Sequence, residues 1–105
     1  MQIEIPFSNE MARAVLANRK FCTSRNKRYG HVGDTFRVEV KECYADFELV
    51  AIVARPLWFV ACWLHIAEGF DDETGFTRIW ELLHPKKGWE PYKTVWVHWF
   101  IRVAP

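Results

Sequence analysis

An α+β domain is predicted for this 105-residue chain on three observations. Segments whose apolar residues alternate with polar ones are interleaved with segments whose apolar residues recur at helical spacing. The last segment is apolar on both sides of a strand, so it must be central in a sheet or bend around a closed barrel. Six Trp, eight Phe and three Tyr supply enough ring area to fill a sizeable core. At roughly 100–200 residues per domain, the length allows one domain, spanning residues 1–105.

The elements follow in order. Gln2 to Phe7 alternates Ile3 and Ile5 with polar neighbours and reads as a short first strand, stopping near Pro6. Ser8 or Asn9 can cap the next helix, with Glu10 in its positive first turn and Met11, Ala14 and Val15 at helical spacing. Asn18 closes it, since Asn tolerates the left-handed conformation that often ends a helix. Phe21 to Arg25 is a second strand, and Asn26 to Asp34 a polar, basic loop. Thr35 to Lys41 alternates Phe36, Val38 and Val40 with charged residues, the pattern of a half-buried strand. Leu49 to Ala54 is continuously apolar and predicts a strand covered on both faces. Pro56 to Leu64 fits either a strand continuation or a short buried helix. Asp71 or Asp72 can cap a helix whose Phe76, Ile79, Trp80 and Leu83 form one apolar stripe ended by Pro85. Tyr92 to Val103 is the long final strand.

Charge and cysteine content narrow the function classes. Fourteen basic and thirteen acidic residues leave a formal charge of +1, which excludes a generically basic nucleic-acid coat or an acidic tail. Cys22, Cys43 and Cys62 are odd in number and form no CxxC pair, so neither a disulfide scaffold nor a cysteine zinc site is expected. Cys22 and Cys62 are expected to pack as small hydrophobes in a cytoplasmic protein. Residues Met1 to Pro6 show no targeting signal. The longest apolar run, Leu57 to Leu64, is far short of the roughly 20 residues that span a bilayer, so no membrane partner is expected. No P-loop, Gly-rich dinucleotide turn or nucleophile elbow is present.

The run Asn18-Arg19-Lys20-Phe21-Cys22-Thr23-Ser24-Arg25, followed by Val32-Gly33-Asp34-Thr35-Phe36-Arg37-Val38, resembles the ASCH domain, a branch of the PUA-like fold. That family's pattern is Gly-x-Lys-x-x-[Thr/Glu]-x-Arg and then Gly-Asp before a strand. Glu68-Gly69-Phe70, the helix from Asp72 to His84 and the final aromatic strand occur in the family's order. Asn18 replaces the family's glycine, a change that a left-handed helix end can absorb. The resemblance implies a small β-barrel with helices packed on its outside. It also implies RNA or a modified nucleoside as partner, in a cleft lined by the Lys-Thr-Arg run. Some small ASCH proteins are amidohydrolases that deacetylate N4-acetylcytidine with a Lys, a Thr and a Glu. Those roles would fall on Lys20, Thr23 and Glu68. Others are RNA binders or nucleases, so a non-catalytic binding module and a metal-independent ribonuclease are the alternatives.

The residues have their own chemistry beside the resemblance. A Thr hydroxyl is a weak nucleophile that requires a neighbouring base, and an amine serves as base only if burial or nearby cations lower its pKa. Glu68 beside Lys20 would favour the charged amine. Either Glu68 then shuttles the proton, or Lys20 holds the oxyanion while Glu68 is the base. Arg25 is the best binding candidate, since its planar fork can hold a phosphate or carbonyl. Six basic residues and no acid lie between Arg13 and Arg28, and with Tyr29 they suit a stacked base or a single strand. Arg19, Arg25, Lys27, Arg28 and Tyr29 are therefore the binding candidates. His65 and Glu68 lack a second ligand pair, so neither metal nor cofactor is expected. His84 fits a helix C-terminus, His98 a structural role, and Trp80, Trp96 and Trp99 the core. Trp89, in a turn, is the expected exposed aromatic, and Lys86 and Lys87 are expected to be solvated.

Overall fold

A computed structural model describes residues 1–103. Its elements are α1 (Asn9–Leu16), β1 (Cys22–Arg25), β2 (Thr35–Val40), β3 (Cys43–Pro56), α2 (Leu57–Trp63), α3 (Glu73–Leu83) and β4 (Thr94–Arg102). The strands form one antiparallel sheet in the order β1-β4-β3-β2, curled into a half-barrel. β4 is therefore interior to the sheet, as its two apolar faces require. One face packs Phe36, Phe47, Leu49 and Phe100 against Ala12 and Val15 of α1. The other packs Cys22, Val95 and Val97 against Leu57 and Val60 of α2 and Phe76 and Trp80 of α3. Two helical layers thus cover opposite faces of a single sheet.

The helix caps obey simple chemistry. The Ser8 hydroxyl accepts the Met11 N–H at 3.2 Å, and the Asp72 carboxylate accepts the Gly75 N–H at 2.7 Å. Asn18 takes φ 60° just after α1, the conformation expected of it. Pro56 ends β3, and the apolar run after it becomes α2.

Four expectations are corrected. Gln2–Phe7 is not a strand: Gln2 makes one parallel bridge to Thr35, and the chain then leaves the sheet towards Pro6, which has no N–H to donate. The strand expected at Leu49–Ala54 begins at Cys43, across a two-residue hairpin of Lys41 and Glu42. That turn places Lys41 at φ 54°, where lysine is uncommon, so no turn signature marks it. Nor is the strand covered on both faces. A bulge between Leu49 and Ala51 drops Val50 out of register and leaves it 40% exposed. Cys62 is an exposed thiol that donates to the Glu73 carboxylate at 3.2 Å, whereas Cys22 is fully buried as expected. Trp89 is half-buried, edge-on to Phe76 at 6.3 Å; the exposed tryptophans are Trp58 and Trp63 on α2.

Candidate active site

The site is assembled where the turn after α1 meets the turn before α3. The Ala67 carbonyl accepts the Phe21 N–H at 2.7 Å, which ties the start of β1 to the segment after α2. Gly69 makes the approach possible: its φ is +98°, and a Cβ there would lie 3.3 Å from the Lys20 Cβ. Glu68, 48 residues from Lys20, is thereby held against it.

Lys20 and Glu68 are each 97% removed from solvent, and the Lys20 Nζ lies 2.8 Å from Glu68 Oε1. The same ammonium donates to the Glu68 carbonyl at 2.9 Å, and the Ser24 hydroxyl donates to the other carboxylate oxygen at 2.6 Å. Every strong acceptor of the carboxylate is thus engaged, the condition under which a buried ion pair is tolerated. Burial and the facing Glu68 charge push the Cys22 thiol far above its ordinary range, so that cysteine is inert packing.

Thr23 is buried on the adjacent strand position, and its hydroxyl accepts the Arg25 Nε–H at 3.1 Å. The Arg25 guanidinium lies over the Phe7 ring at 5.0 Å and the Tyr29 ring at 5.8 Å, while the Lys27 ammonium lies over Tyr29 at 4.8 Å. Burial lowers the Arg25 pKa from its ordinary value, with Tyr29 and Glu68 opposing the shift. Beneath them His98 is fully buried. Its Nε2 accepts the Tyr29 N–H at 2.9 Å, so the proton sits on Nδ1 and bonds the Thr23 carbonyl at 3.2 Å. His98 is structural, and it fixes the backbone of both Thr23 and Tyr29.

These groups open onto a cleft of about 570 Å³, within the usual range of small-molecule sites. Lys20, Thr23, Arg25, Lys27, Tyr29 and Glu68 all line it. Arg19 is exposed and outside its wall; Arg28, also outside, donates to the Gly30 carbonyl at 3.1 Å and lies over Trp96. Sequence reading missed Ser24, Phe7, Phe70, Ile79, Leu83 and His84 as cleft residues. A signal existed for two of them. The α3 stripe is wider than its core contact, so Phe76 and Trp80 pack inward while Leu83 stays 66% exposed at the cleft. His84 stacks on Trp80 with ring centres 4.2 Å apart and caps α3. His65 contacts the Ala61 carbonyl at 2.7 Å, and no metal-holding group of three His, Cys, Asp or Glu occurs among the described residues.

Solved structures share this backbone fold. An ASCH domain from Lactobacillus crispatus superposes with a TM-score of 0.73, over 94% of this chain and 77% of that one, at 11% identity. The chain has the ASCH fold. A protein from Enterococcus faecalis with the DUF984 designation gives 0.72 over 98% of this chain and 80% of its own, at 16% identity. No family model and no curated protein matches the sequence. The ASCH half-barrel therefore stands on backbone geometry, and the chemistry of the cleft must be argued from its residues. No helix among the described residues is long and apolar enough to cross a membrane.

Proposed function

We propose that this domain hydrolyses the N4-acyl amide of a modified cytidine. The observation that supports the reading is the Lys20–Glu68–Ser24 cluster, buried at the wall of a small-molecule-sized cleft that Thr23 also lines. Phe7, Tyr29 and Phe70 give the cleft ring surfaces for a base, and Thr23 is the nucleophile. Its oxygen attacks the acyl carbon, and its proton passes to the Lys20–Glu68 pair. The bond from the acyl carbon to N4 then breaks, and N4 takes that proton as cytidine leaves. Water hydrolyses the acyl-Thr23 ester, releasing the carboxylic acid and restoring the hydroxyl. The Arg25 Nε–H already bonds the Thr23 oxygen, and such a bond favours the developing alkoxide.

A second reading has its own observation. Lys20 and Glu68 satisfy each other, as a purely structural pair would, and Arg25, Lys27 and Tyr29 alone could hold RNA or a nucleoside without cleaving anything. The experiment is incubation of purified protein with N4-acetylcytidine in the presence of a metal chelator. Release of cytidine supports hydrolysis; binding without release transfers the conclusion to the binding module. Thr23→Ala should abolish release, and Thr23→Ser should retain part of it. Lys20→Arg keeps the charge but loses the removable proton, so surviving activity there assigns Lys20 to the oxyanion and Glu68 to the proton.

A further inference from the structure

We infer that Ser24 is the positioning residue of this site: its hydroxyl keeps Glu68 a carboxylate and thereby keeps Lys20 an ammonium. The inference rests on the hydrolytic reading above and deepens it, because it assigns the two halves of the pair different tasks. Successive side chains of a strand point to opposite faces, so Cys22 and Ser24 share one face of β1 and Thr23 and Arg25 the other. The contacts follow that division. Arg25 bonds the Thr23 hydroxyl, whereas the Ser24 hydroxyl reaches the Glu68 carboxylate. Both faces border the cleft because β1 is an edge strand of the sheet. The proposed nucleophile and the carboxylate's donor are thus neighbours in sequence on opposite sides of one strand.

A lysine and a glutamate buried this deeply could shed both charges by passing one proton along the 2.8 Å bond between them. Two neutral groups oppose that transfer, one at each partner. The Glu68 carbonyl, 2.9 Å from the Lys20 Nζ, favours the ammonium; the Ser24 hydroxyl, 2.6 Å from Glu68 Oε2, favours the carboxylate. The second distance is in the range of charge-assisted O–H···O⁻ bonds. The carbonyl belongs to the backbone, so Ser24 is the side chain that tips the balance. Ser24 is itself buried, so water is poorly placed to replace its bond. Held as an ammonium, Lys20 can steady negative charge on the acyl oxygen but cannot take the Thr23 proton. That task passes to Glu68. A carboxyl stabilised as its anion also gives a proton back readily, as the departing N4 requires.

The test reads Glu68 directly. The full chain is isotope-labelled at the side-chain carboxyl carbons of glutamate, and the Glu68 resonance, identified as the one missing from Glu68→Gln, is followed by NMR against pH. Relative to the unaltered protein, Ser24→Ala should move the midpoint of its change upward by about one pH unit, roughly tenfold in proton affinity. Ser24→Thr, which keeps a hydroxyl, should hold the midpoint near its original place, and Ser24→Cys, a weak donor, should fall between. Thr23→Val, on the opposite face, should leave it unmoved. In turnover of N4-acetylcytidine near neutral pH, Ser24→Ala should lower kcat with KM little changed, and Ser24→Thr should retain most of the rate. An unmoved Glu68 midpoint in Ser24→Ala overturns the inference, as does an equal movement in Ser24→Thr or Thr23→Val. Should Ser24→Ala fail to fold, Ser24→Cys carries the same comparison. The resonance is read without turnover, so a protein that releases no cytidine sinks the hydrolytic reading while the role of Ser24 is still decided.

Discussion

Two ion pairs in this protein have nearly the same length and opposite meanings. Lys20 and Glu68 meet at 2.8 Å with both side chains 3% exposed; Arg37 and Asp46 meet at 2.9 Å with 44% and 42% exposed. The second joins neighbouring strands of a hairpin, directly opposite in register, and its Arg37 also lies 4.1 Å over the Tyr44 ring. Water screens it, and breaking it returns both charges to solvent. The first spans 48 residues and is sealed behind Ser24 and the Glu68 carbonyl. Removing one partner there strands a charge away from water. A hydrophobic pair would hold those turns together at less desolvation cost, so chemistry and stability are competing explanations for a buried pair on the cleft wall.

The largest expected effect separates those two explanations. Glu68→Ala should destabilise the domain by about 3–5 kcal/mol, the range for uncoupling a buried pair, and should also end amide hydrolysis. Replacing both partners, as Lys20→Met/Glu68→Leu, removes the stranded charge and should restore most of the stability. Activity should not return, staying 10²–10⁴-fold down on the general acid–base scale, roughly. Chemical denaturation and cytidine release, measured on the same samples, check both halves. A double variant that regains activity would reduce the pair to scaffolding.

Neither pair was legible in full from the sequence. Thr35–Val40 alternates cleanly, but with Lys41 and Glu42 giving no turn signal the strand that carries Asp46 was not expected before Leu49, so the hairpin pair had no visible partner. The alternation, the caps at Ser8 and Asp72, the left-handed Asn18 and the interior β4 were legible, because each depends on a few neighbouring residues. Lys20, Thr23 and Glu68 were named only through the order of short motifs. Their closeness depends on the Ala67 carbonyl and the bare backbone of Gly69, which no spacing reveals. Ser24 was overlooked because a serine in a strand carries no signature until a carboxylate is seen facing it. Leu83 was assigned to the core stripe because periodicity finds an apolar face without showing that the neighbour ends early.

His98 sharpens the comparison from the neutral side, with a middle-sized effect. Burial lowers its pKa below the ordinary value of about 6.5, against the smaller opposing effect of hydrogen bonding to the Thr23 and Trp96 backbone. The folded state therefore holds fewer protons than the unfolded chain once pH drops below about 6.5, and stability falls with pH from there to the lowered folded value. Above 6.5 the contribution is fully present. Within the window the fall is at most about 1.4 kcal/mol per pH unit, the limit for one proton. Denaturant titrations from about pH 7.5 downward should show stability falling below about pH 6.5, and His98→Gln should flatten that fall even if the variant starts less stable.

The smallest effect belongs to the surface pair, and its value lies in being small. Asp46→Asn keeps the side-chain shape and removes the charge, leaving the Arg37–Tyr44 contact in place. At neutral pH and moderate salt the variant should melt together with the unaltered protein, since a screened pair on an exposed hairpin contributes little. The hydrogen bond from Arg37 holds the Asp46 pKa below its ordinary value, outweighing the opposing effect of desolvation. Whatever the pair contributes is thus present above about pH 4 and lost as pH falls through the depressed folded value. A difference between the two proteins should therefore emerge only at low salt and only above that range, vanishing in strong acid. Were Asp46→Asn to cost as much as Glu68→Ala under any of these conditions, burial would not be what distinguishes the pairs, and the functional argument built on Lys20 and Glu68 would lose its physical basis.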